Sequence, residues 1–190
     1  RGQEAMAAWR LERIVFGRGL SLGQRVSYLA TVFSYFEGWQ RLIFYVAPDI
    51  EFFYLAAPEK GAPPQPLDDA SFFDLTTNDV TGTLRKQTIR TLEALGIPVE
   101  YSFHEDAPSQ QEIDLRHTDA LTMADSIMTY RLVVKEIARR NGVYATFMPK
   151  PRTELNGSGM HLQLSLFRGE ANAFYDPADP LRLSTSAPAG

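Results

Sequence analysis

The chain has 190 residues, 44% of them hydrophobic and 22% charged, enough apolar content to bury the core of one sizeable domain. A formal net charge of −4 provides no broad electrostatic attraction for nucleic acid or an anionic membrane surface, so neither is expected as a partner. The absence of cysteine excludes disulfides, thiolate metal sites and thiol nucleophiles, and accords with a reducing cytoplasm. The most apolar stretches, Tyr28–Phe36 and Leu42–Val46, fall far short of the roughly 20 residues that a membrane span needs. Glu4, Arg10, Glu12 and Arg13 interrupt the opening segment, which therefore does not read as a signal peptide. A first residue of Arg rather than Met predicts a portion of a longer reading frame.

In chain order, Ala5–Val15 and Leu22–Phe36 carry helical periodicity, the second with Val26, Leu29, Ala30, Phe33 and Phe36 on one side and Gly38 as its stop. Residues 1–40 are thus a helical lead-in. Arg41–Val46 and Glu51–Leu55 are aromatic and β-branched, and predict two strands joined through Pro48. Ala57–Pro66, rich in proline, predicts a surface loop. A helix over Val80–Leu95 would turn Leu84, Thr88, Leu92 and Leu95 to the core and stop at Gly96-Ile97-Pro98. Val99–Phe103 reads as a strand. A long helix over Asp119–Arg140 presents Leu121, Ala124, Ile127, Met128, Val134 and Ile137, and is capped by Asn141-Gly142. Two strands, Val143–Met148 and Met160–Phe167, follow. The segment after Leu183 reads as a disordered end, 184–190. Alternating helices and short strands indicate a mixed α and β domain; periodicity alone does not separate an antiparallel sheet from a parallel one.

Three short stretches carry chemistry. Asp49 and Glu51, two apart on a strand, leave the same face and converge; an isolated acidic pair of this kind would be a solvated strand face, but the apolar Leu42–Val46 run and Phe52-Phe53 argue against water on that strand. Glu105 and Glu112 lie across a loop containing Pro108, too irregular for a helix and long enough for the chain to fold back. Asp106 and Asp114 in the same stretch read as surface charges. His161 follows the glycine-rich Asn156-Gly157-Ser158-Gly159 and opens a strand. Carboxylate oxygens with one imidazole suit Mg²⁺ or Mn²⁺ and fit a closed zinc site poorly, which points to phosphate chemistry.

From Val46 to about Ser184 these segments, with Phe147-Met148-Pro149-Lys150-Pro151 before the glycine-rich loop, resemble glutamine synthetase of the bacterial type, in that family's order. The resemblance implies an α+β fold, a curved antiparallel sheet backed by helices with the site on its concave face, and makes residues 41–183 a partial catalytic domain. It implies that Glu51, Glu105 and Glu112 ligate a first metal ion, that Asp49 and His161 ligate a second, that Asn156 and Gly157 contact glutamate, and that Gln163 and Ser165 lie on the nucleotide side. The implied reaction is ATP-dependent: the γ-carboxylate of glutamate attacks the γ-phosphorus of ATP, and ammonia or another amine displaces phosphate from the acyl phosphate. The implied cofactor is Mg²⁺ or Mn²⁺ with ATP as co-substrate, the implied assembly a homo-oligomer, and the implied location the cytoplasm.

The pattern breaks in places. Asp49 stands where the family has Glu, Phe103 where it often has His, Gln163 where a second His is usual, and His117 replaces an aromatic residue near the adenine. The family's aspartate-bearing amino-terminal domain and its later arginine-bearing region have no counterpart in the sequence, so the chain alone is expected not to complete a catalytic cycle. Two alternatives stay open at this level: a non-catalytic nucleotide- or metal-binding module with a regulatory or interaction role, and a truncated reading frame without a cellular role.

Overall fold

The computed structural model describes residues 42–57, 63, 65–75, 80–181 and 184. The helices expected over Ala5–Val15 and Leu22–Phe36, and all of 184–190 except Ser184, lie outside the described residues. The elements are β1 (Leu42–Ala56), α1 (Val80–Ala94), β2 (Val99–His104), β3 (Gln110–Leu115), β4 (Thr118–Asp119), α2 (Ala120–Arg140), β5 (Val143–Thr146), β6 (Met160–Arg168) and β7 (Ala171–Asn172). They form a curled antiparallel sheet with two helices, the α+β class expected; its strand order is β2-β3-β1-β6-β7, with β4 and β5 also pairing on β1. Among the described residues no helix is long and apolar enough to cross a membrane.

Where two strands joined through Pro48 were expected, β1 is one strand of fifteen residues. Pro48 is tolerated because it falls where the partner changes: Tyr45 and Val46 pair with β4, whereas Asp49 to Phe53 pair with β3. A proline there interrupts neither ladder. A second difference is β3: Gln110–Leu115, to which the sequence pattern assigns no element of its own, is a central strand between β2 and β1. The two strands expected after α2 are β5 and β6, which are not neighbours but each pair with β1, and β5 stops at Thr146 rather than Met148.

The chain divides into two compact units, one of residues 1–46, 118–125 and 164–190, the other of 47–117 and 126–163. In the first, Tyr45 meets Phe167 edge to face at 5.6 Å, and β6 turns into β7 at Gly169, with Phe167 opposite Asn172. Ser165 lies here, half-buried on β6.

In the second unit, α1 packs against β2 and β3. Its buried face is Thr81, Leu84, Thr88 and Leu92; Leu95, expected inside, is exposed because the helix has already ended. Gly96 sits at φ 80°, and the Ile97 N–H donates to the Leu92 carbonyl while the Gly96 N–H donates to that of Glu93. This is a Schellman cap, and Ile97 and Leu92, both buried, are its apolar contact. The helix α2, whose residues up to Asp125 belong to the first unit, starts one residue later than expected because Asp119 caps it, accepting from the Thr122 N–H at 3.0 Å. Its buried residues are Ala120, Met123, Ala124, Ile127, Tyr130, Val133, Val134 and Ala138, so Leu121 and Met128 were assigned to the wrong side. Apolar residues occur all round α2, and periodicity there fixes a stripe only loosely.

The two faces of β1 differ. Ile50, Phe52 and Tyr54 are fully buried with the helices: Phe52 lies edge to face with Tyr54 and Tyr130, the Tyr54 hydroxyl shares a hydrogen bond with Thr88, and burial lifts Tyr54 to about 12. The other face reads Asp49, Glu51, Phe53, Leu55. Phe53 and Leu55 form a dry cluster with Ala107 of the β2–β3 turn, and Leu155 packs against it. That cluster brings the turn and the 150s loop alongside Glu51. Behind the sheet, Asp68 braces the same turn: it accepts from the Ser109 N–H at 2.6 Å and the Thr81 hydroxyl at 2.9 Å, and pairs with His104 at 3.1 Å.

Candidate metal and substrate site

Register places the acids together. In antiparallel pairing, directly opposed residues project from the same face, and Glu51 opposes Glu112 while Asp49 opposes Asp114. The chain folds back after β2 as expected: the Glu105 N–H donates to the Gln110 carbonyl at 2.8 Å and the Gln110 N–H to that of Ala107 at 2.9 Å, so Glu105 returns over Glu112. Carboxylate oxygens of Glu51, Glu105 and Glu112 all lie within 4.8 Å of one another. A second group, Asp49, Glu112 and Asp114, is equally close and shares Glu112.

Asp114, read from sequence as a surface charge, therefore belongs to the acidic face, and its Oδ1 is buried without a hydrogen-bond partner. Its signal was its place two residues after Glu112 on what proves to be a strand. Neither acidic group includes His161, which is exposed on β6 close to Gly159 and Glu51. Gln163, two residues further on, donates to both Asp49 oxygens at 3.3 and 3.2 Å. Asn156 donates to Asp106, so this loop is tied to the turn that carries Glu105.

Crowding shows in the electrostatics. Burial, then the Glu105 and Asp114 carboxyls, push Glu112 far above the usual carboxylate range. Burial lifts Asp114 to about 6; a hydrogen bond with Glu112 opposes this, and the charges of Asp49, Glu100 and Glu105 add to it. Glu51 is also raised, by burial first; the Gly159 N–H counteracts, Glu105 adds to the rise and His161 draws it down.

The glycines of the loop are required by close approach rather than by a left-handed backbone. A Cβ on Gly157 would lie 2.6 Å from the Pro149 carbonyl oxygen, and one on Gly159 2.8 Å from Glu51 Oε1. The Gly159 N–H donates to Glu51 Oε2 at 2.9 Å. Gly159→Ala is therefore expected to weaken Mn²⁺ binding roughly tenfold, as disturbance of a ligand's supporting contacts does, with little change in metal-free melting temperature. Calorimetric Mn²⁺ titration beside thermal melts checks this, and unchanged affinity would show that Glu51 does not need its present position.

On the acidic face Phe103 opposes Glu112. Its ring stacks on Phe73 with centroids 4.7 Å apart and meets Phe72 edge to face at 5.8 Å; Phe72 and Phe73 are more than half exposed. Phe73 has φ 58°, unusual for a bulky residue, and its N–H donates to the His104 carbonyl. Nothing in the local sequence around Phe72-Phe73 pointed to this stack.

The family model for the catalytic domain of glutamine synthetase matches residues 28–189. A glutamine synthetase of Mycolicibacterium smegmatis is 54% identical over 144 residues, 75% of this chain and 32% of that protein. One of Mycobacterium tuberculosis is 52% identical over 141 residues, 74% of this chain and 32% of that protein. The chain thus spans about a third of the length of these relatives. Among solved structures, a glutamine synthase homologue superposes with a TM-score of 0.71 at 26% identity, covering 84% of this chain and 36% of that one. With the motifs in order, the fold in common and the family model matched over most of its length, the chain belongs to the glutamine synthetase catalytic-domain family.

Proposed function

We propose that the chain supplies the metal- and glutamate-binding portion of an ATP-dependent carboxylate–amine ligase. The observation that carries this reading is the convergence of Glu51, Glu105 and Glu112 from three separate segments onto one face. Three carboxylates, of which Glu51 and Glu112 are raised in pKa chiefly by burial, make a donor set for a hard divalent ion, Mg²⁺ or Mn²⁺. Asp49, with Asp114 and Glu112, would hold a second ion, and His161 stands beside this face as an additional ligand. When bound, such ions neutralise phosphate charge during transfer.

The remaining chemistry belongs to the chain. Asn156 and Gly157 would hold the amino-acid end of glutamate, and Gln163 and Ser165 the nucleotide side. Attack of the γ-carboxylate on ATP forms the acyl phosphate and releases ADP; an amine then displaces phosphate and loses a proton. The residues act mainly by positioning. For the amine, ammonia and larger amines both remain; the exposed rings of Phe72 and Phe73, packed on the half-buried Phe103 that stands opposite Glu112, favour one with a hydrocarbon portion. A homo-oligomeric assembly and a cytoplasmic setting are part of the same proposal.

The test separates binding from turnover. The purified chain is expected to bind Mn²⁺ yet release no phosphate from ATP when given glutamate with ammonia, ethanolamine or a polyamine, because two thirds of its relatives' length has no match in it. Phosphate release coupled to amide formation would show that these residues suffice. Absence of Mn²⁺ binding would favour a module without catalytic metals.

A further inference from the structure

We infer that Gln110 is the positioning residue that couples metal binding at Glu51 to the glycine-rich substrate loop; this rests on the metal- and glutamate-binding reading given above. Gln110 opens β3, is 1% exposed, and lies opposite Phe53 on the acidic face. Its Nε2 donates to Glu51 Oε2 at 2.8 Å and to the Gly157 carbonyl at 3.1 Å, with the Ser158 hydroxyl at 3.4 Å. Its Oε1 accepts from the Ala107 N–H at 3.3 Å. The orientation of the amide is forced by its partners: a carboxylate and a carbonyl can only accept, and the Ala107 N–H can only donate.

One planar group therefore connects a proposed metal ligand on β1, the turn that carries Glu105, and the loop proposed to hold glutamate. A shift of the Glu51 carboxylate toward a cation changes the bond to Nε2, and the same amide transmits the change to the Gly157 carbonyl. Neither hydrocarbon nor carboxylate at this position would do so, since each lacks the paired donors. Gln110 is a buried polar residue whose bonds all go to site-bearing segments, which is how ligand-supporting residues are arranged.

The experiment is a Mg²⁺ titration of the isotope-labelled chain followed by amide NMR. In the unsubstituted chain the Gln110 side-chain amide protons should be protected from exchange, and they should shift together with the Gly157 and Ser158 amides along one saturation curve. Gln110→Met, close in length and without donors, should weaken Mg²⁺ binding roughly tenfold and, at saturation, abolish the Gly157 and Ser158 response. A merely structural role would lower the melting temperature and leave that response intact. Should Gln110→Met fail to fold, exchange and shift of the side-chain protons in the unsubstituted chain still decide: rapid exchange, or no movement with Mg²⁺ while Glu51 responds, overturns the inference. Failure of the unsubstituted chain to bind Mg²⁺ at all overturns the proposed function instead, so the two failures are distinguishable.

Discussion

Saturating Mn²⁺ is expected to raise the melting temperature of the chain by about 5–10 °C, and Glu112→Gln to remove most of that rise. At a free ion concentration of a hundred times Kd, binding to the folded state alone adds about 2.7 kcal/mol, and a chain of this size gains roughly 2–4 °C per kcal/mol. Glu112 is the residue to change because both acidic groups contain it. Burial and the neighbouring Glu105 and Asp114 raise its pKa in the metal-free fold. A carboxyl whose folded pKa exceeds its unfolded value binds protons more tightly when folded, so the stability it confers is present at low pH and declines as pH rises above about 4.5. Metal-free Glu112→Gln should therefore melt at or above the parent at pH 8, while losing the response to Mn²⁺. Melts of both proteins with and without the ion decide the matter. An undiminished rise in the variant would place the ion away from these carboxylates.

Asp68→Ala is expected to cost about 3 kcal/mol, the order of removing an ionised group that accepts several partly buried hydrogen bonds, and so to lower the melting temperature by roughly 6–12 °C. Burial by itself would raise the Asp68 pKa; the hydrogen bonds from His104, Thr81 and Ser109 outweigh it and hold the carboxyl below its usual range. The sign follows from that direction. Stability from Asp68 is fully present above its unfolded pKa of about 4 and is lost as pH falls through the lower folded value. The gap between parent and variant should therefore be widest near neutrality and shrink below about pH 4, as denaturant titrations at several pH values would reveal. A constant gap across that range would mean that Asp68 acts through packing rather than through its charge. The same variant should also weaken Mn²⁺ binding, because the turn it braces carries Glu105.

The sequence by itself determined what depends on neighbours along the chain. Alternation placed Asp49 and Glu51 on one strand face; apolar periodicity located α1 and α2; Gly96 and Gly142 marked their ends, and both adopt the positive φ that a left-handed cap requires. The glycine-rich loop and the fold-back between Glu105 and Glu112 were legible for the same reason, since short-range sterics and turn chemistry act within a few residues. Only the tertiary structure decided who stands opposite whom. Asp114 joined the acidic face because pairing sets it against Asp49, Gln110 gained its role because β3 lies between β2 and β1, and Phe73 reached Phe103 across a loop. The buried side of α2 was likewise chosen by the sheet it packs on rather than by its own pattern. Register and packing are long-range contacts, and a carboxylate, an amide or a ring looks the same in sequence whether it meets water or another residue brought to it from sixty positions away.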